Sequence, residues 1–133
     1  FVARLVALRR EDPLLRHARW FAPVPQAGEP AIHWSTPDGH AMTVDDWHAP
    51  DAHAFACALA DDAEAPPRWW LAFNPSPHDL PFTLPPGPWH VAIDSSATLP
   101  DDAAPPADGS LVIPARALCL LRRGAPIAQE TSR

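Results

Sequence analysis

Lysine and tyrosine are missing from these 133 residues, methionine occurs once and cysteine twice. The ten basic side chains are all arginine and face sixteen carboxylates, giving a net charge of −6. A nucleic-acid partner is therefore excluded as a natural reading, because polyanion binding rests on a basic patch. No apolar run reaches the ~20 residues of a membrane span, which argues against a membrane partner. The N-terminus has none of the features of a secretory signal, and the first residue is Phe1. The expectation is a piece of a longer chain. Cys57 and Cys119 form neither a CxxC pair nor a disulfide framework. They read as buried reduced thiols, which predicts a cytoplasmic location.

Catalytic and cofactor signatures are also missing. There is no P-loop, no dinucleotide glycine fingerprint and no nucleophile elbow around Ser95 and Ser96. Among seven histidines, His40, His48 and His53 lie near Asp45, Asp46 and Asp51, but without the short, regular spacing that metal ligation asks for. Asp45–Asp46 and Asp61–Asp62 are adjacent pairs. Glycosidase carboxylates are brought together across a cleft by folding, so adjacency in sequence says little. The reading is no catalytic residue, no cofactor and no metal in this chain.

Nineteen prolines, six tryptophans and a hydrophobic fraction of 47 % are present. That suffices for one modest core. Phe1, Leu5 and Leu8, with Val2 and Val6 beside them, give residues 1–11 a helical apolar stripe. Arg9 and Arg10 suit the negative end of its dipole, and Pro13 closes it at Asp12. From Leu14 the pattern changes to short strands between Pro-rich turns. Arg19-Trp20-Phe21 reads as a strand or an extended lead-in. Ile32-His33-Trp34 is a strand, Pro37-Asp38-Gly39 a turn, and Thr43 with Asp46 a helix start. Residues 53–59 alternate a large face (Phe55, Cys57, Leu59) with an alanine face. Strands follow at Trp69–Phe73, Leu80–Leu84, Trp89–Ile93, Leu111–Ile113 and Ala117–Leu121. Pro114 marks a bulge, an edge or a bend. Residues 124–133 read as a flexible tail. Period-two alternation predicts an all-β antiparallel sandwich with Phe55, Cys57, Leu59, Leu71, Phe73, Phe82, Trp89, Val91, Ile93, Leu118 and Leu120 in its core. Trp69 and Trp70, being neighbours in a strand, must point to opposite faces.

Several stretches resemble one family when read in order. F-V-A-R-L-V-A-L-R-R-E-D-P (1–13) resembles the last barrel helix and exit of the α-amylase superfamily. I-H-W-S-T-P-D-G-H-A-M-T-V-D-D-W (32–47) is similar to the W…DG…M…W region of bacterial glycogen debranching enzymes of the isoamylase type, in glycoside hydrolase family 13. W-W-L-A-F-N-P (69–75), L-P-F-T-L-P (80–85), W-H-V-A-I-D-S-S (89–96) and L-V-I-P-A-R-A-L-C-L-L (111–121) resemble the strands that follow there. Asp12, Ser95 and Ala117 depart from the His, Thr and Ser frequent at those positions.

The resemblance implies a parent that hydrolyses α-1,6 branch linkages of glycogen with carboxylates on barrel-strand ends, none of whose motifs is in this chain. It implies residues 1–13 as the last helix of the upstream catalytic barrel, 14–123 as the C-terminal β-sandwich and 124–133 as the tail. The partners implied are that barrel, in the same polypeptide, and the parent's α-glucan. Trp34, Trp47 and Trp70 are the candidates for contact with glucan or barrel. Two other readings stay open: a carbohydrate-binding module, favoured by an exposed coplanar Trp pair, and a sandwich-fold interaction domain, favoured by a large apolar patch unrelated to residues 1–11.

Overall fold

The computed structural model describes residues 1–16, 21–100, 103–105 and 108–124. Arg19 and Trp20, and the tail from residue 125 onward, lie outside the described residues. Helix α1 spans Val2–Glu11 and is followed by a 3₁₀ turn, Pro13–Arg16. Then come β1 (Ala31–Ser35), α2 (Val44–His48), β2 (Phe55–Ala60), β3 (Trp69–Asn74), β4 (Leu80–Thr83), β5 (Trp89–Asp94), β6 (Ser110–Ile113) and β7 (Ala117–Arg123). Every pairing is antiparallel. Five strands form one sheet in the order β1-β2-β3-β7-β5, and β4 pairs with β6 in a second. The architecture is the expected antiparallel sandwich with a short helix in front.

The packing divides the expected core in two. Register places Ala56, Ala72 and Cys119 in one row and Ala58, Trp70 and Leu121 in the next. These side chains face the small sheet and pack with Phe82, Leu84, Trp89, Val91, Leu111 and Ile113. Trp70 and Phe82 meet edge to face, with ring centroids 5.9 Å apart at 81°. Side chains of this bulk leave room only for alanine on the facing strand, because interiors pack at crystal-like density. The inter-sheet core of β2 is therefore its alanine face.

The large face of β2 lies on the outside of the five-stranded sheet. There Leu59, Trp69, Ile93 and Leu120 form a second cluster with Leu8 of α1 and Leu14 of the 3₁₀ turn. Cys57 is buried on this face, while Phe55, Leu71, Phe73 and Leu118 are half-buried. Ile93 joins them through a register shift between Val91 and Ile93. One extra residue in β5 turns the side chain that simple alternation puts beside Val91 to the opposite face. Cys57 and Cys119 are unpaired and sit on opposite faces of the sheet.

Candidate functional site

The outer face of the five-stranded sheet is where this chain differs from a closed sandwich. At one end it carries the N-terminal helix. Asp12, 9 % exposed, anchors that helix. Its carboxylate accepts hydrogen bonds from Arg68 Nη1 (2.6 Å) and Nη2 (3.0 Å), from Trp69 Nε1 (2.6 Å) and from the Leu14 backbone N–H (2.9 Å). Burial pushes its pKa up, but the hydrogen bonds from Arg68, Leu14 and Trp69 and the guanidinium charge outweigh this and hold it below the ordinary value. Arg68 is also ion-paired to Asp61, with Nε 2.8 Å from Oδ2. Leu8 is 2 % exposed, whereas Phe1, Val2 and Val6 are 63, 69 and 43 % exposed. One side of the helix is thus seated on the sheet and its other apolar side is open. Between helix and sheet runs an apolar groove of ≈ 420 Å³, bordered by Leu5, Leu15, Phe21, Leu59, Leu71 and Leu120.

At the other end of the same face four aromatic rings make an unbroken cluster. Trp34 is opposite Cys57 in the β1–β2 register, so it projects outward. After β1 the chain reverses through a turn held by Gly39 N–H to Thr36 carbonyl (2.9 Å) and Thr36 N–H to His40 carbonyl (2.8 Å). The Thr36 hydroxyl and the Asp38 carboxylate bond across it. Gly39 has φ +93°, which glycine adopts without strain, and a Cβ there would stand 3.3 Å from Thr83. Met42 N–H bonds to the Trp34 carbonyl at 3.0 Å, and α2 starts at once. Thr43 and Asp46 form a complete capping box, with Asp46 N–H on Thr43 Oγ1 (3.2 Å) and Thr43 N–H on Asp46 Oδ2 (2.9 Å). This brings Trp47 against Trp34, centroids 5.5 Å apart at 72°. Phe55 is 5.7 Å from both and stacks on Phe73 at 4.8 Å.

Of the three tryptophans singled out from sequence, the structure brings Trp34 and Trp47 together and leaves them 38 and 47 % exposed. Trp70 is 1 % exposed in the inter-sheet core. That corrects its candidacy: a ring enclosed between two sheets offers no face to a sugar or to another domain. Its neighbour Trp69 is buried too, beneath the N-terminal segment. The Trp34–Trp47 pair is edge to face, not coplanar.

Several of the polar residues weighed from sequence are engaged in local structure. Asp46 caps α2, Asp62 accepts the backbone N–H groups of Glu64 and Ala65, and Asp61 pairs with Arg68. His48 Nδ1 lies 2.8 Å from the Val44 carbonyl. Ser95 Oγ accepts the Leu118 N–H at 2.9 Å, so serine supplies a strand-to-strand hydrogen bond at that position. Burial pushes the Cys57 thiol up to about 12, out of the range of a nucleophile. No group of three or more metal-binding side chains occurs among the described residues, and none of their helices is long and apolar enough to cross a membrane.

No protein-family profile matches the chain. It is similar to a glycogen debranching enzyme of Dickeya chrysanthemi, 33 % identical over 98 residues that cover 74 % of this chain and 13 % of the relative. A glycogen debranching enzyme of Escherichia fergusonii is 30 % identical over 94 residues, 68 % of this chain and 12 % of its own length. A glycogen operon protein GlgX homolog of Mycobacterium tuberculosis is 28 % identical over a 141-residue alignment, 92 % of this chain and 20 % of its own length. The chain spans about one eighth to one fifth of the length of these curated relatives. The likeness to glycogen debranching enzymes noted in the motifs thus extends over most of the chain.

Proposed function

We propose that this chain is the C-terminal, non-catalytic sandwich of a glycogen debranching enzyme and that it stabilises the catalytic barrel of the same polypeptide. Residues 1–13 are then the last barrel helix, 14–123 the sandwich and 124–133 a tail. The observation that carries this is the similarity to debranching enzymes over 68–92 % of the chain but only 12–20 % of theirs. The half-covered helix supports it. Leu8 is seated on the sheet, while Phe1, Val2 and Val6 present the kind of apolar side that evolves against a partner surface. In this reading the parent is a cytoplasmic hydrolase of α-1,6-glucosidic branch points in glycogen, working by a barrel carboxylate pair. The chain's own part is packing, and it needs no cofactor or metal for it.

A carbohydrate-binding module asks for a coplanar exposed Trp pair, and the 72° between Trp34 and Trp47 counts against it. A separate interaction domain asks for a large apolar patch unrelated to residues 1–11, whereas the aromatic cluster is continuous with the sheet face that seats α1. The test is the coding sequence upstream of Phe1 together with an assay on branched glucan. A barrel with an Asp and Glu set on its strand ends, and reducing-sugar release by the long polypeptide but not by these 133 residues, is expected. An upstream region without such a barrel, or hydrolysis by the 133 residues alone, would overturn the proposal.

A further inference from the structure

We propose that the aromatic cluster Trp34–Trp47–Phe55–Phe73 is a second contact region for the upstream catalytic domain, at the end of the sheet face opposite α1. This rests on the reading just given and adds where the sandwich meets its partner.

Three observations carry it. The first is continuity. The outward rows of β2, β3 and β7 run from Leu59 and Trp69, under the helix, through Cys57, Leu71 and Leu120, to Phe55, Phe73 and Leu118 at the cluster. The one charged side chain in those rows is Arg122, opposite Trp69 at the α1 end, and from Cys57, Leu71 and Leu120 to the cluster none occurs; depletion of charge with enrichment in Trp and Phe is the compositional mark of an interface centre. The second is exposure at the far end. Trp34 and Trp47 are joined there by Val44, one helical turn before Trp47 on α2 and 71 % exposed. Three large apolar side chains are thus held open at this end, Val44 and Trp47 on a one-turn helix fixed by a capping box and Trp34 on strand β1. The third is the length of the relatives. The relatives are five to eight times longer than the matched segment. The helix that leads back toward Phe1 lies on this same face, with Phe1, Val2 and Val6 exposed. A domain large enough to cover Phe1, Val2 and Val6 reaches the groove beside them and then the cluster. The edge-to-face arrangement suits this occupant, since it makes a ridged surface for side chains to interdigitate with instead of a flat platform for sugar rings.

Single cysteines provide the test, because Cys57 and Cys119 are buried and give little background labelling. Val44→Cys reports on the cluster. Val112→Cys, 53 % exposed on the small sheet, reports on a surface outside the proposed contact. Maleimide labelling is timed in the 133-residue chain and in the full polypeptide. The expected result is at least tenfold slower labelling of Val44→Cys in the full polypeptide and an unchanged rate for Val112→Cys. Equal rates for Val44→Cys in a polypeptide that does contain a catalytic barrel would overturn this inference and leave the proposed function standing. An upstream region with no barrel would overturn both. A second arm titrates the 133-residue chain with maltoheptaose. No saturable change in tryptophan fluorescence is expected. A saturable change abolished by Trp47→Ala would assign the cluster to glucan and overturn the inference.

Discussion

A carboxylate that is 9 % exposed and receives two guanidinium donors, an indole N–H and a backbone N–H must be ionised for its surroundings to be satisfied. Asp12→Asn keeps the shape but removes the charge and forces an amide N–H toward donors. It should destabilise the chain by about 1–3 kcal/mol, the range for losing charged hydrogen bonds at a partly screened site. Urea unfolding at neutral pH measures this. The pH dependence has a definite sign. The folded pKa of Asp12 lies below its ordinary 3.8. Its contribution is fully present above 3.8 and is lost as pH falls from there through the folded value. The Asn variant should show a shallower stability loss below pH 3.8 than the parent chain, and an identical slope would refute the assignment. In the sandwich core, Ala72 is 0 % exposed opposite Cys119. Ala72→Leu should cost about 1–3 kcal/mol by overpacking, and thermal melting reads it. Neither residue announces itself in sequence. The side-chain partners of Asp12 lie 56 and 57 positions away, and an alanine in a strand looks like filler until its opposite wall is known.

Strands and helices were legible where local chemistry decides them. Alternation placed β2, β4 and β5, Asn74-Pro75 ended β3, and Thr43 with Asp46 marked α2. What alternation does not tell is which face meets which layer. The large face of β2 reads as core by size, yet it lies outward because Trp70, Phe82 and Trp89 already fill the space between the sheets. The shift in β5 was equally unreadable, since Val91-Ala92-Ile93 alternates as well with a bulge as without one. Pro114 does fall between β6 and β7, where the chain leaves one sheet for the other. Thr43→Ala removes the cap of α2. It should destabilise that turn by about 1 kcal/mol and speed amide exchange at Asp46 and Trp47, with β2 and β3 unaffected. Amide exchange in β3 rising in parallel would mean that α2 is not an independent local unit.

At the level of the molecule, the five-stranded sheet is covered on one face by the small sheet and only partly on the other, by α1 and the 3₁₀ turn. A short helix with exposed Phe1, Val2 and Val6 at its start, a groove next to it and an aromatic cluster beyond make one surface suited to a large partner. Val6→Asp, at a 43 % exposed position, should change the stability of the 133-residue chain by no more than about 0.5 kcal/mol and raise its solubility, while lowering the stability of the full polypeptide. Leu5 is the poorer site for such a change, because it packs against the cluster formed by Leu8 and Leu14. In the proposed reading this sandwich holds a debranching barrel together without taking part in its chemistry. Thermal inactivation of debranching activity, compared between the full polypeptide and one lacking residues 14–133, tests it most directly. The shortened enzyme should lose activity at a clearly lower temperature, or fail to accumulate in soluble form, while the specificity of any active fraction for α-1,6 linkages is unchanged. Equal inactivation temperature and equal specific activity in the two would contradict it.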